Sequence, residues 1–202
     1  DTYQLNGGFA SHCHLRKNTT LFKLPKNLSN LEAAPLNCTH ATIAGALRLA
    51  GDLNNKNILV NGVGMLGLSA CAMTKEEGAK NVWSQDIDSK KATNSLKFGA
   101  KKTFIYGEGE ISPAVDAEGG IDVIIETSGN PEAIEYCLKL LGIGGTLVLV
   151  GSVFSQRDLT INGEYLVRNL LTIKGLHNYI PEDLATAINF MEKAHLKYPF
   201  ES

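Results

Sequence analysis

The sequence predicts a doubly wound α/β domain around a six-stranded parallel sheet. Three observations lead there. Short apolar, β-branched runs recur between residues 57 and 176, as in Ile58-Leu-Val60 and Ile121-Asp-Val-Ile-Ile125. Helical periodicity fills most of the gaps between them. A glycine-punctuated turn, Gly62-Val-Gly-Met-Leu-Gly67, joins the first run to the helix that follows. Near-continuous apolar strands are buried on both faces, and strand–helix alternation produces parallel pairing.

The elements follow in order. Residues 1–35 differ from the rest. Gly7–Leu15 alternates like a strand, Thr20–Leu24 reads as another, and Ser29 with Glu32 has the spacing of a capping box. Two short strands are not a stable unit, so this part is predicted to be a remnant of a β-rich domain. Residues 36–176 carry the sheet. A helix is predicted over Thr39–Ala50, stopped by Gly51. The first strand is Ile58–Asn61, and its helix runs to about Gly78. The second strand is Val82–Asp86, and Asp88 caps a helix through Phe98. Lys102–Tyr106 is the third strand, and Pro113–Glu118 a short helix. Ile121–Thr127 is the fourth strand, and Asn130-Pro131 opens a helix through Leu141. Thr146–Val150 and Leu171–Leu176 are the fifth and sixth strands. Residues 177–202, with a helix from Pro181, are predicted to begin the return to the first domain.

Composition narrows the function classes. A chain of 202 residues is about one domain with part of a second, and 44 % hydrophobic residues fill a sizeable core. A net charge of −2 offers no basic surface, so nucleic acid is not an expected partner. No apolar run is long enough to span a bilayer, and no membrane partner is expected. The chain opens on Asp1-Thr-Tyr-Gln4, without a signal-peptide pattern or an initiating methionine, and so reads as a segment of a longer protein. Cys13, Cys38, Cys71 and Cys137 are irregularly spaced and form no C-x-x-C pair. That argues against a disulfide framework and a self-contained zinc site, and makes a reducing, cytoplasmic location the default. His12-Cys13-His14 invites a metal reading, but on a strand the cysteine would face away from both histidines.

The candidate site is a dinucleotide site. Gly62, Gly64 and Gly67 supply a tight turn, room for a pyrophosphate and close helix packing; Val63, Met65 and Leu66 complete the G-x-G-x-x-G pattern. The alternative is an ordinary glycine-rich turn. Asp86 ends the second strand nineteen places after Gly67, where a carboxylate accepts the adenosine ribose hydroxyls. It favours NAD over NADP, because a 2′-phosphate at about 4 Å would be repelled by about 4 kcal/mol at an effective dielectric near 20. In such a sheet the ligand lies beyond the carboxyl ends of the strands. Those ends add Ile87, Thr127, Ser128, Val150 and Ser152, whose small residues suit either a flat cofactor or turn chemistry.

These residues resemble a family. Gly7-Gly-Phe-Ala10, Asn61–Gly67, Gln85–Asp88 with Lys91, Asp122–Glu126 and Gly144–Gly151 look like the medium-chain dehydrogenase/reductase family, zinc-dependent alcohol dehydrogenase type. The resemblance spans essentially the whole chain. It implies a Rossmann sheet that binds NAD, with Lys91 beside the ribose and Thr42 under the nicotinamide. It also implies a catalytic zinc in the full-length protein, with Cys38 as one ligand; the other reading of Cys38 is a small buried cysteine at a helix start. The family's other zinc ligands and its closing strands have no counterpart here. The chain is therefore expected to be the cofactor half of an oxidoreductase, inactive alone. The implied partners are an alcohol or aldehyde and further copies in a homo-oligomer. A zinc-free reductase of the same fold and a non-catalytic nucleotide-binding module are the alternatives.

Overall fold

The structure, a computed structural model, describes residues 11–108 and 111–200. Six strands form one sheet: β1 (Asn57–Asn61), β2 (Asn81–Asp86), β3 (Lys102–Ile105), β4 (Ile121–Glu126), β5 (Leu141–Leu149) and β6 (Thr172–Gly175). Their spatial order is β3-β2-β1-β4-β5-β6, and every neighbouring pair is parallel. The chain moves outward one way from β1 to β3, then restarts beside β1 with β4. The crevice outside the ends of β1 and β4 is where such sheets hold ligands. The register sets Asn61 opposite both Gln85 and Glu126 at that end.

Alternation sends successive side chains to opposite faces. Ile58, Val60, Val123 and Ile125 point into one core with residues of α2 (Ala41–Ala50), α3 (Met65–Glu76) and α8 (Pro181–Ala194). Leu59, Ile124 and Leu147 point into the other, against Ile134, Cys137 and Leu138 of α6 (Pro131–Leu140). The six-stranded α/β sheet matches the expectation. No helix of the described residues is long and apolar enough to cross a membrane.

Four smaller elements complete the order: α1 (Asn30–Ala33), α4 (Ser89–Ser95), α5 (Ser112–Asp116) and α7 (Gly163–Arg168). The Ser29 capping box is present: Glu32 N–H donates to Ser29 Oγ at 3.2 Å and Ser29 N–H to Glu32 Oε2 at 2.8 Å. α4 continues into a short 3-10 turn, Leu96–Phe98, and ends on Gly99 at φ 94°. Glu32 also meets His195 Nδ1 at 2.7 Å, which holds the first helix against the segment after α8.

Several local expectations are corrected. Residues 11–24 form no strand; the expected Gly7–Leu15 strand lies partly, at 7–10, outside the described residues. An alternating pattern without a neighbouring strand has nothing to pair with. The helix expected from Thr39 is preceded by a π-helical turn, Leu36–His40, and α2 proper starts at Ala41. β5 begins at Leu141, where α6 passes straight into it, and its pairing with β4 is irregular between Ile121 and Val123. Glycines 142, 144 and 145 hid that stretch from the strand pattern. α7 had no predicted counterpart, since none of its residues is buried and it carries no periodic apolar face.

The last helix belongs to the same packing. Ala187, Ile188, Met191 and Ala194 share the core of α2 and α3. Asp183 accepts from Arg48 Nε at 2.8 Å and Nη2 at 3.0 Å, clamping α8 to α2. Gly45 makes this possible, because a Cβ there would stand 2.9 Å from Asp183 Oδ2.

Candidate functional site: a glycine turn, an acid and a thiol

The glycine turn is shaped by close backbone approaches. Gly62 sits at φ 82°, and a Cβ on it would lie 2.8 Å from Ser128 N. A Cβ on Gly67 would run into the Gly62 carbonyl oxygen, so only glycine lets α3 seat against β1. Gly64 differs: nothing lies within 4 Å of its Cβ position. It is the N-cap of α3, no side chain caps it, and the first turn holds no acid. The helix therefore presents uncapped N–H groups and its positive dipole end beside open space, which suits a phosphate.

Asp86 is bound into this turn. Its Oδ2 accepts Val63 N–H at 2.7 Å and its Oδ1 accepts Asp88 N–H at 2.9 Å. Asp88 in turn caps α4, accepting from Lys90 N at 2.8 Å and Lys91 N at 3.2 Å. These N–H groups, Lys91 foremost, hold the Asp88 carboxyl below its usual range. Ile87 between the two acids is 79 % exposed, a free apolar surface next to the carboxylate.

A cavity of about 760 Å³ runs along the turn to the candidate thiol. Val63, Gly64, Met65 and Lys91 line it together with Cys38, Thr39 and His40, and Leu68, Phe98 and Phe200 add apolar wall. Thr39 Oγ1 donates to Met65 Sδ at 3.0 Å, joining the π-helical turn to the start of α3. Cys38 is exposed on that π-helical turn, which excludes the buried-cysteine reading. Extra-residue turns of this kind recur at functional positions. His40 is 1 % exposed, meets Ser69 Oγ through Nδ1 at 2.8 Å and packs edge-on to Phe200. Burial drives its pKa down to about 4, so it is a neutral imidazole at pH 7.

A second group meets at the ends of β1 and β4. Thr127 Oγ1 donates to the Gly62 carbonyl at 2.6 Å. Glu126 is fully buried and accepts from Asn61 Nδ2, Ser128 N and Oγ, and Gly129 N. Gly129 packs on Gly151 so closely that a Cβ on either would strike the other's backbone.

The sequence-predicted residues thus fall into sets. Cys38, Val63, Gly64, Met65 and Lys91 share the cavity, and Asp86 joins them through Val63. Gly62, Thr127 and Ser128 gather at the crevice. Leu66 and Gly67 belong to α3, and Thr42 is half-buried in α2. Val150 is 4 % exposed in the core and offers a ligand its backbone at most. Ser152 keeps a buried Oγ with no partner among the described residues. Glu126, Asn61, Thr39 and His40 had no assigned role. The one legible signal was the acid closing an apolar strand.

The residues fit a nicotinamide dinucleotide: the uncapped helix end, the space over Gly64 and the adjoining carboxylate are its requirements. They do not fit a zinc ion by themselves. Among the described residues no three His, Cys, Asp or Glu side chains converge, and a catalytic zinc needs three protein ligands.

Comparison with known proteins agrees with this fold. A family model described as zinc-binding dehydrogenase matches residues 65–193. An alcohol dehydrogenase from Geobacillus stearothermophilus is 29 % identical over 197 residues, covering 96 % of this chain and 57 % of the relative. A zinc-binding dehydrogenase structure from Sinorhizobium meliloti 1021, bound to NADP, superposes with TM-score 0.78 at 22 % identity, over 86 % of this chain and 52 % of that one. A short chain alcohol dehydrogenase from E. coli CFT073, complexed with NADH, gives TM-score 0.77 at 18 % identity, over 86 % and 51 %. The chain spans about half the length of these proteins.

Proposed function

The chain belongs to the zinc-binding dehydrogenase family, and from that premise we propose that it is the NAD-binding half of an alcohol dehydrogenase. The uncapped N-terminus of α3, open above Gly64 and tied through Val63 to Asp86, is the observation that carries this reading. When bound, the nicotinamide supplies hydride exchange with an alcohol or aldehyde. The chain's own residues bind and orient. The amides of Gly64, Met65 and Leu66 take the pyrophosphate, with Lys91 lining the same cavity. Asp86 takes the ribose and disfavours a 2′-phosphate. Ile87 covers the adenine side. Thr127, Ser128, Val150, Ser152 and Thr42 border the nicotinamide half.

Cys38 supplies one thiol toward a metal, and no step is derived through zinc from these residues. We accordingly assign this chain nucleotide binding with little or no turnover of its own. Self-association is assigned to the β6 edge of the sheet; Ile143 of β5, Val167 of α7 and Leu170, just before β6, are exposed. The solvent-facing sites are assigned to a cytoplasmic setting.

Titration with NADH tests the reading. Trp83 lies in β2 three residues before Asp86, so bound NADH is expected to quench its emission and draw energy from it. Saturable quenching with matching heat in calorimetry supports the site. Neither signal at millimolar NADH overturns it.

A further inference from the structure

Glu126 is 0 % exposed at the end of β4, facing Asn61 at the end of β1. Its Oε1 accepts from Ser128 N at 2.8 Å, Gly129 N at 3.1 Å and Asn61 Nδ2 at 3.2 Å, as well as from Ser128 Oγ. Its Oε2 accepts from Gly129 N at 3.1 Å. The Ser128 hydroxyl oxygen already faces two donors, Asn130 N at 3.2 Å and Asn61 Nδ2 at 3.3 Å. Its own proton therefore goes to Glu126. Every partner presents a hydrogen to this side chain, which leaves no acceptor for a carboxylic acid proton. Among the described residues no Lys, Arg or His pairs with it.

A buried, uncompensated carboxylate is costly, and hydrogen bonding alone does not call for its charge. Four of the five contacts fall on one oxygen, which a neutral amide would also supply. Only the Gly129 contact on Oε2 would be lost. The charge lies where the strand order reverses, at the crevice where this fold holds a dinucleotide. Oxidised nicotinamide is a cation and reduced nicotinamide is neutral, while the rest of the molecule is the same. Repulsion of the pyrophosphate is common to both forms and cancels in their ratio. A fixed negative charge that is itself shielded from water separates the two.

We propose that Glu126 is a specificity-determining residue that favours the oxidised over the reduced cofactor at this site. The inference rests on the dinucleotide reading above. Calorimetric Kd values for NAD+ and NADH on the 202-residue chain test it. Glu126→Gln raises the ratio Kd(NAD+)/Kd(NADH) by about tenfold, whereas Glu126→Asp, which keeps the charge, leaves it within about twofold. A role confined to holding the 127–129 loop weakens both forms alike. If both forms bind and Glu126→Gln leaves the ratio unchanged, the inference is overturned and the cofactor site stands. If neither form binds the unsubstituted chain, both readings fall. Should Glu126→Gln not fold, the Glu126 carboxyl resonance of 13C-glutamate-labelled chain decides. An ionised position at pH 7 that differs between the NAD+ and NADH complexes supports the inference. A protonated position, or the same position in both complexes, overturns it.

Discussion

The Val63 amide donates to Asp86 Oδ2 at 2.7 Å, so the acid expected to read the ribose also holds the glycine turn in shape. The two duties separate on substitution. Asp86→Ser removes both the charge and the reach to Val63. NADH affinity is expected to fall about tenfold or more, and NADPH affinity to fall less or rise, because the charge repulsion is gone. Paired titrations measure the ratio, and a ratio equal to that of the unsubstituted chain refutes the assignment.

The glycines of the turn are expected to fail in different ways. A methyl at Gly67 meets the Gly62 carbonyl, so Gly67→Ala costs about 1–3 kcal/mol of stability and abolishes binding with it. Gly64 has ordinary backbone angles, φ −72°, and open space, so Gly64→Ala costs less than about 1 kcal/mol. Its methyl still occupies the approach to the helix end, and NADH affinity drops about tenfold or more. Thermal melts and titrations of the two variants distinguish these outcomes. Equal losses of stability would show that the space over Gly64 is not free.

His40 makes stability depend on mild acid. Burial lowers its pKa from 6.5 to about 4, so between those values the unfolded chain takes a proton that the folded chain refuses. The stability present above pH 6.5 is lost progressively down to pH 4, by on the order of 3 kcal/mol. Urea midpoints from pH 7.5 to 4.5 are expected to fall more steeply for the natural chain than for His40→Leu. Parallel curves would remove His40 from the account.

The four thiols are expected to divide evenly. Cys13 and Cys38 are exposed, whereas Cys71 and Cys137 are buried. Burial pushes the Cys71 thiol up to about 12 and raises Cys137 too, with the Glu126 charge adding to it. Two thiols per chain therefore react quickly with an aromatic disulfide, and the other two only on unfolding. NADH is expected to slow Cys38, which shares the cavity with the glycine turn, and to leave Cys13 alone. Equal protection of both would separate Cys38 from the site.

The sheet was legible because its central strands are apolar on both faces: Ile58-Leu59-Val60 and Val123-Ile124-Ile125 admit few other readings. The glycine turn and Asp86 were legible because spacing along the chain fixes their relation. What escaped depends on contacts distant in sequence or on irregular backbone. The π-helical turn that exposes Cys38 has no composition of its own. Glu126 closes an apolar strand, but its contact with Asn61 exists only once β1 and β4 lie side by side, and its other four depend on how the backbone turns at Ser128 and Gly129. The alternation at 11–15 and 20–24 resembled strands because period-two patterning does not say whether a partner exists.

The clamp between Arg48 and Asp183 joins positions 135 residues apart. β1, by contrast, finds its first neighbour, β2, 24 residues on. During synthesis the β1–β3 side of the sheet is available for pairing long before α2 meets its permanent cover. Until then the side of α2 that α8 covers stays open, although α3 and β5 already pack on the rest of it. The late arrival of α8 thus makes residues 181–194 a timer on solubility. A ribosome stalled ahead of Pro181 holds a sheet whose helix α2 is still sticky, and release restores both the ion pair and the cover in one step.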